Sequence, residues 1–493
     1  MGGGAVKLVD RLSDWPAAKV LVAGLGASGF AAADGLFTLG AQITVVDENA
    51  SASNVDKANL LERLDMAVHL GEGATSVNPA DYDLVLASPG WHPSHPLLAA
   101  AVAAAVPVWS EVELAWRMLQ PDRTVPWLGV TGTNGKTTTV NMLTAMLRAD
   151  GRRVAEVGNI GRPVMEAVLD ETPYDVFVVE LSSFQLHWVG ALSLHSAAVL
   201  NLAPDHLEWY QDAYPDDPYG AYARDKGEIY NRVVKSCVYN VADPRTEALV
   251  EAAEVVEGAR AIGFTLGIPA PSQIGVVDDL IVDRAFIEQR RDSAIELAKL
   301  ADVHPFAPHN VTNALAAAAL ARSLGAHPYA IAAGLQQLQL GDHRIQTIGS
   351  AKGVTWVDDS KATNPHAAAA SLAAFDKVVW VAGGQAKGTR YEELVREHKD
   401  RFRAAILLGV DRQLIADAFA AEAPDVPVKL VDEADPTAAM NCAVFWASQQ
   451  AQPGDTVLLA PAAASLDMFK GYDDRGQAFT REVKALIGDG GVA

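Results

Sequence analysis

Residues 127–139 read WLGVTGTNGKTTT, an apolar run followed by Gly132, Gly135, Lys136 and three threonines. A run closed by a glycine-rich turn, with helix-forming residues behind it, predicts a strand, a tight loop and a helix in succession. Such a unit belongs in a layered α/β domain, because a strand that feeds a helix returns to a parallel neighbour. The Gly-Lys-Thr at the junction predicts a cradle for nucleoside-triphosphate phosphates, since backbone N–H groups at a helix N-terminus attract anions. The common spacing, G-x-x-x-x-G-K-[ST], requires glycine at position 130; this chain has Val130, and its glycine is Gly129. The loop is therefore a variant form. Lys136 is placed to reach terminal phosphates and the Thr137 hydroxyl to ligate Mg²⁺, with Thr133, Asn134 and Thr138 completing the loop.

The same alternation recurs along all 493 residues. The runs KVLVAGLG, AQITVVDE, LVLASPG and VPVWSE form a first series, and LQPDRTVP, Leu119 to Pro126, reads as a linker. WLGVTG, VFVVELSS, AAVLNLAPDH, SCVYNVADP and ARAIGFT form a second, followed by a hairpin-like SQIGVVDDLIVDR and two alanine-rich helical stretches. VTWVDDS, KVVWVAGG, AAILLG, VKLVDE and DTVLLAPAAAS form a third. Three consecutive α/β domains are expected, with boundaries at 1–121, 122–340 and 341–493, which agrees with about 150 residues per domain. The first and third read as Rossmann-like sheets and the second as a phosphate-loop domain.

Composition narrows the function. The net charge of −22 argues against non-specific binding to nucleic acid or anionic lipid. No apolar window is long enough to span a membrane, and the N-terminus MGGGAVKLVDRLSDW has no secretory pattern. The only cysteines, Cys237 and Cys442, exclude a disulfide framework and fit a reducing cytoplasm. A cytoplasmic enzyme is expected, acting as a monomer.

Other motifs cluster at predicted strand ends. GLGASG supplies Gly24, Gly26 and Gly29 after a strand, and Asp47 ends the next strand about 20 residues on, the context of a nucleotide fingerprint. Glu180 closes an apolar strand and fits a metal carboxylate, and Asp205 and His206 would lie along the same edge. In the third series, DDSKATN, GGQAKG and APAAASLDMFKGYDDRG place Lys361, Lys387 and Lys470 beside small residues, which points to an anionic small molecule.

Together these motifs resemble the Mur ligase family, the ATP-dependent amide ligases that build the peptidoglycan stem peptide. The likeness runs from GLGASG through TGTNGKTTT, GNIG, ELSSFQL, NLAPDH, HNVTNALAA, DHR and DDSKATN to SLDMFKGYDDRG, nearly the whole chain. GTNGKTT is specific to the superfamily, while ELSSFQL, DSKATN and SLDMFK resemble its D-glutamate-adding branch. The resemblance implies that Gly26, Ala27, Ser28, Asp47 and Gly90 hold the UDP of UDP-N-acetylmuramoyl-L-alanine, with Asn159, Ser182 and Gln185 continuing that site. It implies that ATP meets Gly132 to Thr138, Asn310, Asn313, Arg344 and Asp359, and D-glutamate meets Thr363, Lys387, Ser465 and Tyr472. Thr137, Glu180 and His206 would hold Mg²⁺, expected as two ions. Lys226 in YARDKGEIY matches the family's CO₂-modified lysine, whose carbamate is an anionic metal ligand. Lys136, His206 and Lys226 are the expected catalytic residues.

The implied chemistry is transfer of the ATP γ-phosphoryl group to the L-alanine carboxylate, then attack of the D-glutamate amine on the acyl phosphate, with domain closure excluding water. Gln346, Gln385 and Tyr472 depart from the family pattern and put local contacts in doubt. The rival readings are an amide ligase of this superfamily using another amino acid, a nicotinamide dehydrogenase resting on GLGASG and Asp47, and an ATP-driven binding module.

Overall fold

The structure is a computed structural model that describes residues 8–119, 125–338 and 341–488. It contains three sheets with helices between their strands, the expected α/β architecture in three domains. Much of the expected linker at 119–126, the boundary positions 121–122 and 340, and the first seven residues lie outside the described residues. By its internal contacts the chain divides into two compact units. The first comprises 1–302 with 312–338, and the second 303–311 with 339–493. The segment 303–311, expected in the central domain, thus groups with the C-terminal unit.

The first unit holds two sheets. One is built from β1 (Lys19–Ala23), β2 (Gln42–Asp47), β3 (Ala67–Leu70), β4 (Leu84–Ala87) and β5 (Val108–Trp109), in the order β3-β2-β1-β4-β5 and parallel throughout. The other is built from β6 (Trp127–Thr131), β7 (Val154–Gly158), β8 (Val176–Glu180), β9 (Ser196–Val199), β10 (Ser236–Asn240), β11 (Arg260–Phe264), β12 (Gln273–Val277), β13 (Leu280–Asp283) and β14 (Ile295–Lys299). Its order is β14-β13-β12-β11-β10-β9-β6-β8-β7, and the expected hairpin β12–β13 extends into an antiparallel edge with β14. β6 and β8 are buried at every position, which explains their uninterrupted apolar sequences. The register pairs Val130 with Glu180 and Thr131 with Val199, so the loops after β6, β8 and β9 leave the sheet at one level.

The second unit contains β15 (Gln346–Ala351), β16 (Val354–Asp358), β17 (Val378–Ala382), β18 (Phe402–Leu407), β19 (Val428–Leu430) and β20 (Thr456–Leu459), in the order β15-β16-β20-β17-β18-β19. Only β15 is antiparallel to its neighbour. Leu459 pairs with both Asp358 and Val381, which brings DDSKATN, GGQAKG and APAAASLDMFK out of one sheet edge. Among the described residues, no helix is long and apolar enough to cross a membrane.

Candidate active site

The phosphate loop is shaped by its glycines. Gly132 and Gly135 have φ of +149° and +84°, values that side chains rarely adopt. Gly135 is also the residue before the helix Lys136–Ala149, and a Cβ there would lie 2.3 Å from the Asn313 side-chain oxygen. Asn313 therefore reaches the loop. The chain braces the turn from β9: Asn201 accepts the Asn134 N–H at 2.9 Å and donates to the Asn134 carbonyl at 3.0 Å. The Thr133 hydroxyl bridges the Ala203 backbone and Tyr222, turning inward rather than toward a phosphate. Thr137 is half-buried and Thr138 buried. Lys136 folds back so that Nζ donates to the carbonyls of Gly132 at 2.9 Å and Thr133 at 3.0 Å. Its charge thus stands over the loop whose amides attract anions.

Lys226 shares that loop. Its side chain, 2% exposed, donates to the Gly132 carbonyl at 3.0 Å from the helix Pro218–Gly227. Burial, with the neighbouring Lys136 charge, pushes its amine well below the usual lysine range, against the opposing charges of Asp205, Asp225 and Glu180. Glu180 is also buried; Oε1 accepts from Asn159 at 2.9 Å, while Oε2 has no partner. An orphaned carboxylate oxygen near a buried amine and a phosphate loop fits an oxygen-preferring divalent cation. The His206 side chain is 47% exposed, at a φ of +52°, with Asp205 and Glu208 each 3.8 Å away. Among the described residues, no three His, Cys, Asp or Glu side chains gather into a ready metal set. Glu180 and Thr137 are the oxygen-bearing side chains beside the loop, the buried Lys226 amine lies next to them, and His206 stands at the rim.

In the first sheet, Gly26 precedes the helix Ala27–Thr38, and Ala27 and Ser28 open its first turn. Gly29 is indispensable there, because a Cβ would lie 1.9 Å from the Gly24 carbonyl. Gly90 has open space around its Cβ position. Asp47 braces the turn itself: its carboxylate accepts from the amides of Leu25 at 2.6 Å and Asn49 at 2.8 Å. Lys57 Nζ donates to the Leu25 carbonyl at 3.1 Å, a cation beside the turn that no spacing in the sequence singles out. Asn159 meets Glu180, as above. Ser182 and Gln185 form a capping box on the helix Ser183–Leu186, so their side chains set the ELSSFQL turn.

The second unit gathers the remaining loops around Arg475, which is 1% exposed. Its guanidinium donates to the Ser360 hydroxyl and carbonyl at 3.0 and 3.1 Å and to the carbonyls of Ala463 and Gly383 at 3.1 and 3.4 Å. Nothing in the spacing of SLDMFKGYDDRG marks it from a surface arginine. Tyr472 places its ring 3.8 Å from Lys361 Nζ and its carbonyl on the Ser360 hydroxyl. Ser465 is buried, Thr363 half-buried and Lys387 exposed at a φ of +51°. Gln385 pairs with Ala464 through its backbone, so the amide side chain is dispensable to that link. Asp359 accepts from the Ile345 amide and the Ser371 hydroxyl, and burial pushes its carboxyl up to about 6. The Arg344 charge acts on it in the opposite direction. Asn310 is buried and donates to the Pro305 carbonyl at 3.0 Å. Gln346 accepts the His343 amide and donates to Asp342.

Comparison with known proteins assigns the class. Three family models match: the Mur ligase MurD-like N-terminal domain over residues 18–110, the Mur ligase middle domain over 130–321 and the Mur ligase glutamate ligase domain over 343–463. The chain belongs to the Mur ligase family. It is 54% identical over 475 residues to a protein of Streptomyces avermitilis named UDP-N-acetylmuramoylalanine--D-glutamate ligase, covering 96% of this chain and 100% of that one. A Thermobifida fusca protein of the same name is 52% identical, covering 95% and 99%. In fold, the chain is similar to a pseudomurein peptide ligase type C from Methanothermus fervidus, with TM-score 0.57, 18% identity and coverage of 96% and 100%.

Proposed function

We propose that this chain joins D-glutamate to the L-alanine carboxyl of UDP-N-acetylmuramoyl-L-alanine, converting ATP to ADP and phosphate, in cytoplasmic peptidoglycan precursor synthesis. The observation that carries the reading is the edge of the second sheet, where the loop Gly132–Thr137, the buried amine of Lys226 and the orphaned oxygen of Glu180 converge. The names of the relatives at 54% and 52% identity support the choice of substrates.

In the first step an alanine carboxylate oxygen bonds to the γ-phosphorus of ATP, and the bond from that phosphorus to ADP breaks. Two anions must approach, so Lys136 and the loop N–H groups offset their repulsion and stabilise charge on the transferring group. In the second step the D-glutamate nitrogen bonds to the acyl-phosphate carbon; the carbon–oxygen bond to phosphate then breaks and the nitrogen sheds a proton. Glu180, Thr137, His206 and a carbamate on Lys226 would hold Mg²⁺, which when bound neutralises phosphate charge. The low proton affinity of Lys226 supports the carbamate: a neutral amine attacks the CO₂ carbon, loses a proton and becomes an anionic oxygen donor.

Incubation with the UDP-linked substrate, ATP, Mg²⁺ and D-glutamate should yield a product heavier by one glutamyl residue, read by mass spectrometry. L-Glutamate should yield none, and a product formed with L-alanine instead would overturn the amino-acid assignment.

A further inference from the structure

Two buried carboxylates take no part in the chemistry above. Both lie in the first turn of the helix Glu111–Arg117, just after the first sheet, with Glu111 5% and Glu113 0% exposed. Each grips the domain of the second sheet. Glu113 accepts the amides of Gly190, Ala191 and Leu192 at 2.9, 2.8 and 3.2 Å, and Arg117 Nε at 2.7 Å. Its oxygens are fully used. Glu111 is different: Oε1 accepts the Met165 amide at 2.5 Å, while Oε2 is buried with no partner. The Glu111 side chain also lines a small cavity with Ser28 and Gly29 of the glycine turn and Ser88 beyond β4.

Met165 lies in the helix Val164–Leu169, directly after GNIG and Asn159. One carboxyl therefore stands between the turn assigned to UDP and the segment assigned to the far end of the same substrate. We infer that Glu111 is a positioning residue: it ties the glycine turn of the first sheet to the Asn159 loop of the second, and so sets the span across which the UDP-linked substrate is held. The inference rests on the functional reading above.

The protonation of Glu111 gives this link a signature. Burial pushes its carboxyl up to about 7, with the Glu166 charge acting the same way and the amides of Met165 and Val164 acting against it. Glu166 is the acid facing it from the helix Val164–Leu169. The helix Ala27–Thr38 presents Ser28, and its acid, Asp34, is exposed. β1 and the end of β4 contribute Val22 and Ser88, and on its own helix Glu113 and Arg117 pair with each other. Protonated, Glu111 carries an O–H; ionised, it leaves a buried charge that the Met165 and Val164 amides offset only in part. The folded chain holds this proton between the ordinary value of 4.5 and about 7, where the unfolded chain has lost it. Stability of the link therefore falls as pH rises through that window and is lowest above it.

The test compares wild type, Glu111→Gln and Glu111→Ala, measuring kcat and KM for UDP-N-acetylmuramoyl-L-alanine and for ATP from pH 6 to 8.5, with thermal melts alongside. Glutamine copies the protonated acid, so Glu111→Gln should match wild type at pH 6 and lose its rise in KM for the UDP-linked substrate above about pH 7. Glu111→Ala should raise that KM about tenfold or more at every pH, the scale of a misplaced substrate, with kcat and the KM for ATP unchanged. Lower melting temperatures with wild-type KM values, or a wild-type pH profile retained in Glu111→Gln, would overturn the inference. A wild-type chain that turns over no UDP-linked substrate would instead overturn the functional reading, and this inference with it.

Discussion

At the scale of single residues, the site divides into side chains whose neighbours are close in sequence and those whose neighbours are brought by the fold. The turn of Gly132, Asn134 and Gly135 and the helix start at Lys136 were legible because a glycine loop opening a helix is set by residues adjacent in sequence. Lys136→Ala should leave the fold intact and lower phosphate release about 10²–10³-fold, the cost of removing one preorganised charge-stabilising donor; a loss under twofold would remove Lys136 from the reaction. Lys226 was legible only through resemblance, since its altered chemistry comes from burial against the phosphate loop. ¹³C-labelled bicarbonate should give a carbamate resonance in wild type and none in Lys226→Arg, which keeps the cation and cannot supply the anion. Equal activity of that variant would contradict a carbamate role. Glu111 and Arg475 were not legible at all. An acid in a helix's first turn and an arginine in a helix ordinarily face solvent, and only tertiary contacts reveal otherwise.

Among elements, the strands that sequence reading missed share one property. β3, β7, β14 and β15 are all sheet edges, where one side lacks a neighbour and the apolar run is short or broken by polar residues. The interior strands β1, β6, β8 and β17 announce themselves because they are buried on both faces. The same closeness of packing makes the glycine turn of the first sheet brittle. Gly29→Ala drives a methyl into the Gly24 carbonyl, so it should cost about 1–3 kcal/mol, the range for overpacking, and weaken UDP binding by calorimetry. Unchanged melting and unchanged affinity would show that the turn relaxes freely.

For the molecule as a whole, the three-domain α/β architecture followed from the alternation of runs, while the grouping of 303–311 with the C-terminal unit depended on contacts that no spacing encodes. The two units should also melt with separable sensitivities. Arg475→Met leaves Ser360 and the Gly383 and Ala463 carbonyls without their donor and should destabilise the second unit by about 3 kcal/mol. Differential scanning calorimetry should show that transition alone shifting; a shift in both would mean that the units unfold together. The central claim is that the phosphate loop delivers phosphate to a carboxylate for capture by D-glutamate. Its most direct test is phosphate release by the purified chain with ATP, Mg²⁺ and UDP-N-acetylmuramoyl-L-alanine, with D-glutamate present or omitted. Release that requires D-glutamate, and that L-glutamate and L-alanine do not support, is the predicted result. Equal release without any amino acid would make the loop part of a simple ATPase and contradict the assignment of the third domain.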